Sequence, residues 1–172
     1  MKVNLKQAIR YFFPNPSLEL VFIESIANSM DAEATEIDIS IHIEELSKPE
    51  TLKIKIKDNG IGFTDERFEK FSKLLEVEEE SHKGVGRLVF LSYFKSVDIE
   101  SRFGRQKRMF QYSSDFDEKK SAISNVSTSK NETILSFSNY YLKKIGKHDF
   151  LKPSYLRKRL LEEFYQRLYL MK

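Results

Sequence analysis

The sequence predicts an α+β fold in two layers, a mostly antiparallel sheet with helices on one face. Three observations lead to it. Helical spacing fills the first part of the chain, strand-like alternation fills the middle, and one long helical pattern closes it. Alternating segments are half-buried strands, because one face of each must pack against another layer. Helices first and strands second favour α+β over a regular α/β repeat.

Two helices are predicted before the first strand. Apolar residues recur at helical spacing over residues 3–13, and Pro14 and Pro16 end that segment. Ser17 is the predicted N-cap of the second helix, which carries the apolar stretch LELVFIESIANSM.

The middle of the chain alternates between apolar and polar residues. Over 36–44 every second residue is isoleucine, and 52–56 repeats the pattern with lysines between the apolar positions. These two segments predict a pair of strands in hairpin-like order that leads directly into Asp58. The same reasoning predicts further strands at 97–103, 108–114, 122–127 and 133–137, and helices at 88–94, at 153–170 and in the charged segment that starts at Thr64.

Composition limits the function classes. At 172 residues the chain is the size of one domain, and it has no cysteine, which excludes thiol catalysis, disulfides and cysteine-bound zinc. No signal peptide is evident, and no apolar run approaches the roughly 18 residues that span a bilayer, so a cytoplasmic protein without membrane contact is expected. A net charge of +3 does not argue for nucleic acid. The basic residues over 152–172 indicate a helix face that is exposed to solvent. The alternative is a surface that contacts phosphate or docks a following domain.

A narrow polar stripe interrupts the second predicted helix. Glu24, Asn28 and Asp31 lie within roughly 60° of one another around the helix axis. Such a stripe on a buried helix is costly unless it meets a ligand, an ion or another polar group. A carboxylate can take a proton from water that attacks a γ-phosphate, and an amide oxygen suits one position around Mg²⁺. With the turn Asp58-Asn-Gly60-Ile-Gly62, whose glycines allow close backbone approach, the stripe indicates a nucleotide site.

Four separated blocks occur in the order found in a known family. They are ESIANSMDAEAT at 24–35, DNGIG at 58–62, Gly84-Val85-Gly86, and Thr133 within ETILSF. Over 17–137 the chain resembles the GHKL ATPases, which include gyrase B, the large heat-shock chaperone, histidine kinases, MutL and MORC proteins, and it is most similar to the last two. The resemblance implies a Bergerat-type ATP-binding fold, with ATP and Mg²⁺ as cofactors.

The resemblance also implies a role for each block. Glu24 would be the catalytic base, Asn28 the metal ligand and Asp58 the acceptor for the adenine amino group, which Thr133 would support. Gly60 and Gly62 would leave room for the base. The remaining nucleotide-binding expectations are Asp31, which alternatively binds backbone, and the phosphate loop of Lys83, Gly84, Val85 and Gly86. Lys83 and Arg87 would either neutralise phosphate or face solvent.

The chain departs from the family pattern in two places. MutL-like sequences commonly have glycine where this chain has Glu33, and the glycine usual before Thr133 is replaced by Asn131-Glu132. We expect an ATP-binding domain over 1–150 and a helix over 151–172 that leads to a downstream domain. The expected function is Mg²⁺-dependent ATP hydrolysis coupled to closure of a homodimer. The alternatives are a nucleotide sensor without turnover and a histidine-kinase-like phosphotransfer domain, against which Glu24 argues.

Overall fold

The structure is a computed structural model that describes residues 7, 9, 11, 13, 17–73, 86–146 and 148–170. Six antiparallel strands form one sheet in the order β1-β2-β6-β3-β4-β5. The strands are β1 (Ile37–His42), β2 (Lys53–Asp58), β3 (Phe94–Phe103), β4 (Gln106–Ser113), β5 (Ala122–Asn125) and β6 (Glu132–Tyr140). The helices are α1 (Glu19–Asp31), α2 (Asp65–Ser72) and α3 (Pro153–Leu170), with 3-10 turns at Pro49–Thr51, Gly86–Ser92, Glu118–Lys120 and His148–Leu151. The predicted α+β fold in two layers is confirmed.

Helix α1 lies at the centre of the helical layer. Its buried face combines apolar residues with two serines, Ser25 and Ser29. Leu18, the residue directly before α1, already has helical backbone angles. The Ser17 hydroxyl accepts from the Glu19 N–H at 3.3 Å, which is the hydrogen bond that an N-cap residue makes. Ser17 therefore caps the start of α1 as predicted.

The sheet register brings distant parts of the sequence together. Strands β1 and β2 pair antiparallel as predicted, and β6 then inserts between β2 and β3. As a result Asp58 on β2 lies opposite Thr133 on β6, and Thr133 lies opposite Ser101 on β3. The predicted helix at 88–94 is a 3-10 segment that ends at Ser92, so β3 already begins at Phe94.

Helices α2 and α3 complete the helical layer. Phe68 and Phe71 of α2 pack edge-to-face against Phe110 of β4, with ring centroids 4.9 and 5.3 Å apart. Helix α3 places Leu156 and Phe164 in the main core. Most of the predicted helix at 3–13 and the tract 74–85 lie outside the described residues. Within the described part of the chain, no helix has the length and apolar character that crossing a membrane requires.

Candidate nucleotide-binding site

A cavity of about 280 Å³ lies between α1, the inner face of the sheet and α2. Its wall includes Glu24, Asn28, Asp58, Gly62 and Thr133, all of them predicted site residues from three different motifs. The sheet register accounts for this convergence, because it sets the last residue of β2 beside β6 while α1 packs across both strands. Its other polar and charged lining residues are Ser25, Ser29, Arg67, Lys70 and Arg87.

Asp58 is fixed at one end of this cavity. Its side chain is nearly buried, with 6% exposure. The Ser29 hydroxyl donates to Oδ2 and the Gly60 N–H donates to Oδ1, each at 2.9 Å. Burial raises the pKa of the Asp58 carboxyl, while these two hydrogen bonds and the charge of Arg67 oppose the rise. Each oxygen retains a lone pair for a further donor, so the carboxylate is a rigid hydrogen-bond acceptor on the cavity wall.

Thr133 belongs to a chain of hydroxyl contacts beside Asp58. Its side chain is 5% exposed, and its Oγ1 lies 3.0 Å from the Oγ of Ser101. Ser101 in turn accepts from the Phe63 N–H at 2.8 Å. Either hydroxyl can donate in the contact between Ser101 and Thr133. When Ser101 donates, the Thr133 hydroxyl proton is left for a ligand.

The two glycines of the DNGIG turn are needed for close packing. A Cβ at Gly60 would lie 2.6 Å from the carbonyl oxygen of Ala32, and Gly60 is not part of the cavity wall. A Cβ at Gly62 would lie 2.6 Å from Ser101 Oγ, and Gly62 has a φ of +76°, where glycine is favoured. The glycines thus hold the turn against α1 and β3, and of the two only Gly62 borders the cavity.

Glu24 and Asn28 form the other end of the cavity. The Asn28 Nδ2 donates to Glu24 Oε1 at 3.2 Å. Burial raises the pKa of Glu24, while the Asn28 hydrogen bond and the positive charge of Arg87 oppose the rise. Gly86 touches this carboxylate directly, because a Cβ built there would lie 2.0 Å from Glu24 Oε2. The third sequence block therefore reaches the same end of the cavity as the first.

The donor set of Asn28 fits a magnesium ion. Since its amide nitrogen donates to Glu24, its Oδ1 is left for another partner, and an amide oxygen is a hard ligand of the kind Mg²⁺ prefers. The described residues contain no group of three or more His, Cys, Asp or Glu side chains placed to hold a metal. A magnesium ion here would thus be held by one or two protein ligands together with phosphate and water oxygens.

The structure does not bring every predicted residue to the cavity. Asp31 lies outside the wall, its side chain is 62% exposed, and its Oδ1 accepts from Arg167 at 2.6 Å. Its backbone carbonyl accepts from Arg67 at 3.2 Å. Lys83, Gly84 and Val85 lie outside the described residues.

Sequence reasoning missed Ser29 and Ser101. Ser101 carried a signal, because it is a polar residue at an inward position of β3, between the buried Ile99 and Phe103. Ser29 follows Asn28 on the buried face of α1, where a second serine next to the polar stripe could have identified it.

Known proteins share this architecture. The topoisomerase IV ATP-binding domain of Francisella tularensis, in complex with a small-molecule inhibitor, aligns with a TM-score of 0.60 at 17% identity, over 91% of this chain and 81% of that one. The N-terminal domain of a DNA repair protein aligns with a TM-score of 0.52 at 16% identity, over 88% of this chain and 41% of that one. The ATPase region of Saccharomyces cerevisiae topoisomerase II bound to ICRF-187 gives 0.51 at 15% identity, over 82% and 43%. At these identities the likeness shows a shared fold.

Family membership rests on the sequence. No curated protein matches the chain. A family model described as histidine kinase-, DNA gyrase B- and HSP90-like ATPase matches residues 16–147, well over half of the chain and all the described cavity residues. This match confirms the GHKL resemblance, and the chain belongs to the family of histidine kinase-, DNA gyrase B- and HSP90-like ATPases.

Proposed function

We propose that this domain binds ATP with Mg²⁺ and hydrolyses it to ADP and phosphate. The observation that carries the proposal is a single cavity with two chemically different ends. One end presents the buried acceptor Asp58 beside the hydroxyl of Thr133, and the other presents Glu24 with Asn28. Family membership supports an ATP-binding module.

The Asp58 end is suited to adenine. An ionised carboxylate only accepts hydrogen bonds, so it pairs with the exocyclic amino group of adenine and not with the carbonyl that guanine has in the corresponding position. Asp58 is held by Ser29 and Gly60, so it is oriented before the base arrives. Thr133 can add one hydrogen bond, directly or through water.

The Glu24 end is suited to water activation. Glu24 would take a proton from the water that attacks the γ-phosphorus, while the bond to the bridging oxygen breaks and ADP leaves with that oxygen. The raised pKa of Glu24 makes it a better base than a solvated carboxylate. A bound magnesium ion would neutralise charge on the phosphate oxygens, and Asn28 would be its protein ligand.

We further propose that the domain works within a larger protein that closes as an ATP-dependent homodimer, with residues 151–172 leading to a downstream domain. Exposed apolar residues near the end of α3 support this proposal, because Tyr165, Tyr169 and Leu170 are 70%, 67% and 82% exposed. Two basic residues of this helix are already paired with α1, Arg159 with Glu19 and Arg167 with Asp31. Nucleic-acid contact through α3 would therefore have to use its other basic residues.

Calorimetric titration of ATP and GTP tests the adenine assignment. Asp58→Asn removes a charged acceptor from the base site, so ATP affinity should fall by about 10- to 150-fold, and GTP should bind poorly to both proteins. Asp38→Asn is the matched control, since Asp38 is exposed on β1 and its loss should leave ATP binding unchanged.

Thermal unfolding checks that the Asp58→Asn variant is folded. Burial raises the pKa of Asp58, so its contribution to stability is greatest when it is protonated and declines as pH rises through the folded-state pKa. At neutral pH the Asp58→Asn variant has no buried charge at this position. Its Tm should therefore be no lower than that of the parent protein. Equal ATP binding by variant and parent would contradict the assignment.

A further inference from the structure

The cavity contains a buried arginine, Arg87, so of the two positions expected from the sequence the solvent-facing one is wrong and a position against phosphate is left. Arg87 lines the cavity and is only 7% exposed. Its guanidinium carbon lies 4.1 Å from the centroid of the Phe71 ring, and its Nε has no hydrogen-bond partner among the described residues. Within the same part of the chain Arg87 forms no ion pair, whereas the other arginine packed on α2, Arg108, pairs with Asp65.

A buried guanidinium without an anionic partner is costly. Stacking on Phe71 and an interaction with the Tyr112 hydroxyl offset part of the cost. Neither group supplies a negative charge, and the Nε has no partner among the described residues. Of the two carboxylates in the cavity, Asp58 accepts from Ser29 and Gly60, and Glu24 accepts from Asn28 through Oε1. Arg87 and Glu24 attract each other through space without forming an ion pair. Among the described residues no carboxylate forms an ion pair with Arg87, so an anionic ligand can take that place.

The position of Arg87 selects the kind of anion. Its neighbour Gly86 is in contact with the Glu24 carboxylate, so Arg87 lies at the Glu24 end of the cavity. Ser29, which holds Asp58, is five residues further along α1, about 7 Å along the helix axis. A nucleotide whose base meets Asp58 would therefore direct its outermost phosphate towards Arg87.

We propose that Arg87 recognises the terminal phosphate of the bound nucleotide and makes the site prefer ATP to ADP. The inference rests on the proposed ATP-binding function. A guanidinium presents two parallel donors that match two phosphate oxygens, and such charge-assisted pairs are about twice as strong as neutral hydrogen bonds. ADP has no phosphate at this position, so Arg87 contributes to ATP binding and not to ADP binding.

The competing explanation is purely structural. Arg87 could serve only to hold α2 through Phe71, and Arg108 provides the matched comparison. Arg108 is 2% exposed, its guanidinium carbon lies 4.2 Å from the Phe68 ring of the same helix, and its Nε also has no partner in the described residues. Arg108 is not part of the cavity wall. Loss of either arginine should loosen α2, but only Arg87 can touch a phosphate.

The test is calorimetric titration of the 172-residue chain with ADP and with a β,γ-imido analogue of ATP, both with Mg²⁺. Arg87→Met should weaken analogue binding by at least about 10-fold and change ADP binding by less than about 3-fold. Arg108→Met should change the two affinities by the same factor. If Arg87→Met does not fold, Arg87→Lys keeps a charge over Phe71 but loses the paired donors, and it should still lower the analogue-to-ADP affinity ratio.

The outcomes are separable. If the parent protein binds both nucleotides and the Arg87 variants leave the affinity ratio unchanged, the arginine is structural and the inference is overturned. The same conclusion follows if Arg108→Met lowers the ratio as strongly as Arg87→Met does. If the parent protein binds neither nucleotide, the proposed function fails and this inference fails with it.

Discussion

At the scale of single residues, the position along α1 decides which of its polar side chains reach the cavity. Glu24 and Asn28 are one helical turn apart and both line it, as the polar stripe predicts. Asp31 has nearly the same angular position as Glu24 but lies almost two turns further along, where it meets Arg167. Periodicity gives the angle around the axis and contains no information on where the cavity ends. A salt bridge to a residue so distant in sequence could not have been predicted from it.

Asn28 allows a test of the metal assignment. Its Oδ1 is the atom left for Mg²⁺, so Asn28→Ala should weaken ATP binding strongly in the presence of Mg²⁺ and only slightly in chelator. Asn59→Ala is the control, because Asn59 accepts from the N–H groups of Thr35 and Glu36 and holds the turn in place. Calorimetry in both buffers should show that the control loses affinity equally in each. A similar loss in both buffers for Asn28→Ala would make Asn28 a structural residue.

At the scale of elements, the existence of the strands and of the main helices was predictable, but their end positions and the 3-10 geometry of one segment were not. The apolar run at 88–91 fits any buried helical segment, and only the structure shows that its geometry is 3-10. The end of α1 shows that one backbone feature could be predicted from the local sequence. Glu33 occupies the position where MutL-like sequences have glycine, and its φ is +61°, in the left-handed region. The departure noted in the sequence thus corresponds to backbone strain at the end of α1.

Glu33 therefore offers a gain in stability. Glu33→Gly removes a steric cost of about 1–2 kcal/mol, and the greater freedom of glycine in the unfolded chain costs about 0.4–1 kcal/mol. The free energy of unfolding should therefore rise by up to about 1.6 kcal/mol. Glu33→Ala keeps the strain and should give no gain. Thermal unfolding of the two variants measures the difference. A glycine variant no more stable than the alanine variant would show that Glu33 is unstrained.

At the scale of the whole molecule, the site depends on the order of strands. Alternating patterns predicted the strands, and helices on one face predicted the two layers. No local sequence feature predicts that β6 inserts between β2 and β3. Long-range strand pairing depends on how all the strands bury their apolar faces together. That insertion sets Thr133 beside both Asp58 and Ser101. Family resemblance linked Asp58 to Thr133, and the sheet supplies the physical reason.

The central claim is that this cavity hydrolyses ATP with Glu24 as the base. Its most direct test is single turnover of labelled ATP with Mg²⁺ and protein in excess, comparing the parent protein with Glu24→Ala. A general base contributes about 10²- to 10⁴-fold, so the variant should lose most of the rate while its ATP affinity stays within about 3-fold of the parent. Hydrolysis at the parental rate in the variant would remove Glu24 from the mechanism. No hydrolysis by a parent protein that binds ATP would contradict turnover itself and leave a nucleotide sensor.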